Sequence, residues 1–167
     1  MNSNSQARQD LFALSMIEGP GTFLDIGCAD PVMLSNTLLL EEHGWRGLCV
    51  DQNPDLAWEY AKLRKSPFIH ADAQRADYHR LLLQQNIQPR DLDYVSLDVD
   101  NATEGALRQL LASDVRFKIA TVEHDAYRMG DGPRNAMRKM LKDAGYTLAR
   151  ANVRNNGLEF EDWWIMT

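Results

Sequence analysis

The sequence predicts an α/β fold: one domain with a mostly parallel, doubly wound sheet of seven strands, Rossmann-like, closed by a C-terminal antiparallel hairpin. Three observations lead there. Short apolar runs alternate with segments of helical spacing, as βα units require. Acids stand at the ends of most of those runs, where open α/β sheets keep their ligands. The last two runs are joined through Asn155-Asn156-Gly157, and Asn-Gly is a strong hairpin signal.

A leading helix is expected over 6–18 (QARQDLFALSMIE), packed on the sheet or on a partner. It forms an N-terminal element, 1–20, ahead of the ligand-binding domain, 21–167. Strands are expected at 22–28, 47–53, 68–72, 92–98, 118–123, 146–153 and 161–166. Helices are expected at 35–43, 56–65, 76–85, 102–112 and 133–144. Pro54 marks the entry to the second of these, and Gly145 is placed to cap the last. Residues 126–135 (AYRMGDGPRN) read as a flexible loop, either a lid or an ordinary connection, with Tyr127 and Arg128 facing an acceptor or solvent. Arg134, Arg138, Lys139 and Lys142 add a basic helical segment, read as a solvated face ahead of a phosphate or partner patch. In EDWWIM, strand alternation sends Trp163 and Trp164 to opposite faces.

With 167 residues the chain can bury a real core, and 44% hydrophobic with 25% charged residues is ordinary globular composition. A net charge of −6 disfavours nucleic acid and anionic membranes as general partners. The longest apolar run is far short of a membrane span, and MNSNSQARQD does not resemble a signal peptide, so a cytoplasmic protein is expected. Cys28 and Cys49 are too few for a disulfide framework and read as buried thiols on neighbouring strands.

The turn after the first strand, Asp25-Ile26-Gly27-Cys28-Ala29-Asp30-Pro31, selects the ligand class. A dinucleotide turn needs G-x-G-x-x-G to bring backbone N–H groups onto a pyrophosphate. Here one glycine remains, Asp30 would repel phosphate, and Pro31 lacks an N–H. S-adenosylmethionine carries a sulfonium and an ammonium and no phosphate, so an acidic, glycine-poor turn suits it. Pro31 is expected in the first turn of the following helix. Asp51 follows Gly27 at about the 20-residue spacing at which an acid grips ribose hydroxyls. Asp72 fits either the adenine edge or the N-cap of the next helix.

The stretches DIGCADPVMLSNT (25–37), GWRGLCVDQNPD (44–55), DLDYVSLDVDNATEGALRQL (91–110), TVEHDAYR (121–128) and DAGY (143–146) together resemble the FkbM-like family of S-adenosylmethionine-dependent methyltransferases. The resemblance spans about residues 20–150. Members typically show D-x-G-A-x-x-G at the first turn, where this chain has Pro31 in the last glycine position. Their second strand ends in Glu-Pro-Asn, and here it reads Asp51-Gln52-Asn53. The resemblance implies cofactor contacts from Asp25, Gly27, Asp30, Asn36, Asp51 and Asp72, and the adjacent Cys28, Gln52 and Asp98 complete the candidate cofactor set. It implies O-methylation of a sugar or other small-molecule hydroxyl, a small molecule or glycan as partner, and a site built from the ends of the fourth and fifth strands.

At that end, His124 is the candidate base, its ordinary pKa of about 6.5 suiting neutral pH, with Asp100 or Asp125 orienting it or acting instead. Asp98, Asp100, His124 and Asp125 offer a divalent metal as a further option, although their spacing is not diagnostic and no metal is assigned. Two other classes compete: a non-catalytic binding or assembly module on the same fold, and a dinucleotide-dependent enzyme. No inserted segment is long enough for a separate substrate cap, an economy that a large acceptor or a site completed across a homodimer would explain.

Overall fold

The computed structural model describes residues 2–167, one α/β unit. Its strands are β1 (Thr22–Ile26), β2 (Arg46–Asp51), β3 (Phe68–His70), β4 (Leu92–Leu97), β5 (Phe117–Glu123), β6 (Tyr146–Asn155) and β7 (Leu158–Met166). The helices are α1 (Gln9–Met16), α2 (Leu38–Glu42), α3 (Ala57–Leu63), α4 (Tyr78–Gln84), α5 (Thr103–Ala112), α6 (Ala126–Met129) and α7 (Asp131–Asp143). The seven strands form one sheet in the order β3-β2-β1-β4-β5-β7-β6. All neighbours are parallel except β7, which runs antiparallel to both β5 and β6.

Alternation along the strands divides the core. Leu24, Ile26, Leu48, Val50, Val95 and Leu97 face α4, α5 and α7. Phe23, Cys49, Tyr94 and Ile119 face α1, α2 and α3. Helix α5 shows why its sequence folds this way: Thr103, Ala106, Leu107 and Leu110 recur at helical spacing and are its buried residues. Each of those leucines contributes about 2 kcal/mol through burial. Trp164 enters the larger core, while Trp163 stacks on Phe12 of α1 with ring centroids 4.5 Å apart.

Several elements differ from the sequence expectation for identifiable reasons. The leading helix starts at Gln9, because the N–H groups of Asn4 and Ala7 bond to the side chains of Asp10 and Gln9 instead of continuing it. The hairpin strands extend to a two-residue turn in which Asn156 and Gly157 have φ of 50° and 83°, the geometry that matches strand twist. The stretch expected to be a loop holds α6 and the start of α7, separated by Gly130. Pro31 opens no helix: the chain bends through residues 28–37, and α2 begins only at Leu38. Asp72 does not cap α4, since that role falls to Asp77, whose Oδ1 accepts the Arg80 N–H at 3.1 Å.

The long β1–α2 turn is held from beneath by Arg64, at the end of α3. Its guanidinium donates to the Pro31 carbonyl at 3.1 Å, Ser35 Oγ at 3.2 Å and Thr37 Oγ1 at 3.0 Å. Thr37 Oγ1 in turn donates to Asp25 Oδ2 at 2.7 Å, and Glu41 pairs with Arg64 at 3.4 Å. Replacing Arg64 with Ala leaves that turn unsupported and Glu41 without its cation. A loss of about 3 kcal/mol is expected, a drop in melting temperature of roughly 6–12 °C by calorimetry.

Candidate functional site

The strand order reverses between β1 and β4, and the crevice above that point is where the expected residues gather. Gly27 (φ 79°) stands there because nothing larger fits: a Cβ would lie 1.7 Å from the Asp98 carbonyl oxygen. Three further residues just beyond strand ends adopt the left-handed conformation, Ala29, Asp100 and Asp125, with φ of 46°, 49° and 45°. Such backbone strain concentrates at functional sites.

The turn's amides are already used. Gly27 and Cys28 donate to the Val50 carbonyl at 2.8 and 3.3 Å, and Ala29 donates to Asp51 Oδ2 at 3.1 Å. Val32 and Met33 donate to Asp30 Oδ1 at 2.8 and 2.7 Å. A pyrophosphate would find almost no free N–H here, which accords with the reading against dinucleotides.

Two compartments adjoin through Gly27, Ala29 and Asp98. The outer one, about 310 Å³, is lined by Asp51, Gln52, Asp72, Gln74, Val99 and Asp100 among others. The inner one, about 280 Å³, is lined by Asp25, Asp30, Asn36, Cys28, Met33 and Gln6. Every residue of the candidate cofactor set lines one or both. Asp25 is buried on β1, and burial raises its carboxyl above the usual range against the pull of Thr37 and Arg64. Asn36 donates to Ser96 Oγ at 2.9 Å and leaves its buried Oδ1 without a partner. Asp51 also accepts the Asn53 N–H at 2.9 Å, and Asp72 Oδ1 accepts that of Gln74 at 2.9 Å. Cys28 lies just past β1, buried, and burial pushes its thiol up, as expected for an inert group.

A third, smaller cavity of about 100 Å³ opens between the end of β5 and the β6–β7 turn, lined by Glu123, Asp125, Tyr127, Asn155, Asn156 and Gln6 among others. Register makes Asp98 and Glu123 neighbours across β4 and β5, because Leu97 pairs with Val122. Their carboxyls hydrogen-bond to each other, and burial reinforced by that partner pushes Glu123 up to about 10. Asp98 is also raised, chiefly by burial. Directly across from Glu123, Glu161 of β7 is buried and pushed up to about 8 by desolvation.

The structure divides the candidate catalytic residues. Asp100 and Asp125 converge with Glu123, their oxygens all within 4.8 Å of one another, and Arg128 pairs with both aspartates. This is the group able to hold a cation, in place of the metal option drawn from sequence: Glu123 stands where His124 and Asp98 were expected. His124 is turned to the other side of the sheet. Its Nδ1 accepts the Ala126 N–H at 3.1 Å, and its Nε2 faces Asp162 at 3.6 Å. It is buried and outside all three compartments. Sequence reasoning gave Glu123 no role beyond that of an acid at a strand end; the signal was its position level with Asp98. Gln6 and the hairpin-turn asparagines carried no sequence signal for this site.

The architecture is similar to that of solved methyltransferases. A proposed rRNA-methylase from Clostridium thermocellum matches with a TM-score of 0.68 at 13% identity, covering 100% of this chain and 98% of that one. The 1,6-didemethyltoxoflavin-N1-methyltransferase of Burkholderia thailandensis, solved with S-adenosylhomocysteine, matches at 0.61 and 16% identity, covering 99% and 80%. Aeropyrum pernix fibrillarin, with natively bound S-adenosyl-L-methionine, matches at 0.63 and 16% identity, covering 96% and 74%. At these identities the likeness establishes the fold, the α/β methyltransferase fold with its antiparallel terminal hairpin. No protein-family model matches the sequence, the FkbM-like family included, and no curated protein matches it. Among the described residues, no helix is long and apolar enough to cross a membrane.

The buried acids set a pH dependence. In the unfolded chain Glu123 and Glu161 ionise near 4.5, whereas the fold keeps their protons up to about 10 and about 8. The stability they contribute is therefore full below pH 4.5 and is lost as pH rises through those folded values. Urea midpoints measured between about pH 5 and 9 should fall with pH, and Glu161→Gln should flatten that decline.

Proposed function

We propose that this chain is an S-adenosylmethionine-dependent methyltransferase acting on a hydroxyl of a sugar or other small molecule. The observation that carries the reading is the pair of joined, acid-lined compartments at the reversal of strand order, above a turn in which the amides of Gly27, Cys28, Ala29, Val32 and Met33 are already bonded. A ligand with positive charge and ribose hydroxyls fits such walls; a phosphate does not.

In this reading Asp51 accepts from the ribose hydroxyls, and Asp72 with Gln52 borders the base. Asp25 and the unpartnered Oδ1 of Asn36 face the amino-acid end. Bound there, S-adenosylmethionine supplies a methyl group on a sulfonium sulfur. Asp98 borders both compartments and pairs with Glu123, whose side chain lines the acceptor cavity. That pair holds one proton between two carboxyls near neutrality and takes the hydroxyl proton of the acceptor as the oxygen attacks. Asp100 and Asp125 frame the acceptor, and Arg128 keeps them from repelling each other. His124 holds the β5–α6 turn and positions Asp125 from behind. The acidic rim favours an uncharged or cationic acceptor over a phosphate backbone.

The test is calorimetric titration of the full chain with S-adenosylmethionine and S-adenosylhomocysteine, with and without Mg²⁺, and with NADH as control. Micromolar binding of the first two is expected. Asp51→Ala should weaken both about 100-fold, the loss of two hydrogen bonds to a charged acceptor. Failure of the native chain to bind either compound overturns the reading.

A further inference from the structure

We propose that Gln6 binds the α-carboxylate of the cofactor, and that the segment bearing it, residues 3–8, is a strap closing the inner compartment over that end. This rests on the methyltransferase reading. The inner compartment presents Asp25, Asp30 and Asp98, which attract an α-ammonium and repel an α-carboxylate. A carboxylate requires N–H donors. The amides of Gly27, Cys28 and Ala29 are engaged by Val50 and Asp51 of β2, and those of Val32 and Met33 by Asp30, so these five are not available to it. Among the side chains lining the compartment, Gln6 and Asn36 are the two that carry an N–H, and Asn36 donates to Ser96 while its free Oδ1 is an acceptor. Gln6 is left as the side-chain donor. The same amide lines the acceptor cavity, so one residue touches the amino-acid end of the cofactor and borders the acceptor.

The backbone around Gln6 is fastened on both sides. Ser5 bridges to Leu34 of the turn. Asp10, fully buried at the start of α1, accepts from Ser3 Oγ at 2.6 Å, the Asn4 N–H at 2.8 Å and Ser5 Oγ at 2.7 Å. Gln9 accepts the Ala7 N–H at 2.7 Å and donates to Glu161 at 3.1 Å. The chain folds back at Arg8, with φ of 69°. Gln6 takes part in none of these bonds and is exposed, so it is available to a ligand and can be replaced without disturbing the core.

The experiment compares two nucleosides on the full chain, S-adenosylhomocysteine and 5′-methylthioadenosine, which lacks the amino-acid end. Gln6→Ala should weaken S-adenosylhomocysteine about tenfold, the loss of one charge-assisted hydrogen bond, and leave 5′-methylthioadenosine unchanged. Amide hydrogen exchange at Asn4, Ser5 and Ala7 should slow with S-adenosylhomocysteine and stay unchanged with 5′-methylthioadenosine. An equal effect of Gln6→Ala on both compounds, or exchange in the strap indifferent to S-adenosylhomocysteine, overturns the proposal while the methyltransferase reading stands. If the native chain binds neither compound, the methyltransferase reading falls and the strap falls with it.

Discussion

The structure depends on finding partners for its buried carboxyls. Asp10, Asp25, Glu41, Asp93, Glu123, Asp125, Glu161 and Asp162 are all buried, and among the described residues Arg64 is the one arginine or lysine buried with them. An uncompensated buried charge costs several kcal/mol, so each acid must be hydrogen-bonded, paired or protonated. Most are met locally. Asp93 ties the start of β1 to β5 through Thr22 and Lys118. Burial raises Asp162, but the Arg138 guanidinium, His124 and the Asn152 N–H together bring it well below the usual carboxylate range. Glu41 is likewise brought down, against burial, by the amides of Lys65 and Ser66 and by Arg64.

What remains is a row of acids that burial pushes toward their protonated forms, Asp98 and Glu123 bonded to each other and Glu161 met by N–H donors from Gln9 and Trp163. Asp98, Glu123 and Glu161 stand on one face of three adjacent strands, and among the described residues no cation is placed between them. Their positions follow from sheet register alone, since neighbouring strands ending at the same level bring their last residues together. The left-handed residues Ala29, Asp100 and Asp125 then turn the chain away sharply, keeping the crevice open above the strand tips. Asp tolerates that conformation better than most residues because its short side chain bonds locally. The acids at the site thus serve the backbone turn as well as the ligand.

Much of this was legible in the sequence. Apolar runs ending in acids located the strands and the crevice, and Asn-Gly located the hairpin turn. The acid at Asp51 and the glycine at Gly27 were legible because each answers a local geometric need. Legibility stopped where partners are distant in the chain. The segment 6–8 has good helical character, but Gln9 captures the Ala7 amide and Asp10 that of Asn4, and the chain bends there instead. Arg64 is one charged residue at a helix end until the fold sets it under the β1–α2 turn. His124 lies apart from the crevice for a reason the sequence did contain: alternation along β5 puts Ile119, Thr121 and Glu123 on one face and sends the next side chain to the other, where it lines a small cavity with Asp100. Glu123 and His124 cannot both face the crevice from consecutive positions, and register with Asp98 decides for Glu123.

The departure at Pro31 follows from the same physics. In a dinucleotide-binding turn, the last glycine lets the following helix pack closely on the strand. Here the neighbouring amides of Val32 and Met33 point to Asp30, and the Pro31 carbonyl is fixed by Arg64, so the turn is folded onto itself. The fixed φ of proline restrains a long turn that has no helix of its own until Leu38. Glycine there would add freedom to the unfolded chain and remove that restraint. The residue that looks like damage to a nucleotide-binding motif belongs to a turn closed on itself, with Asp25 and Asp30 lining the inner compartment.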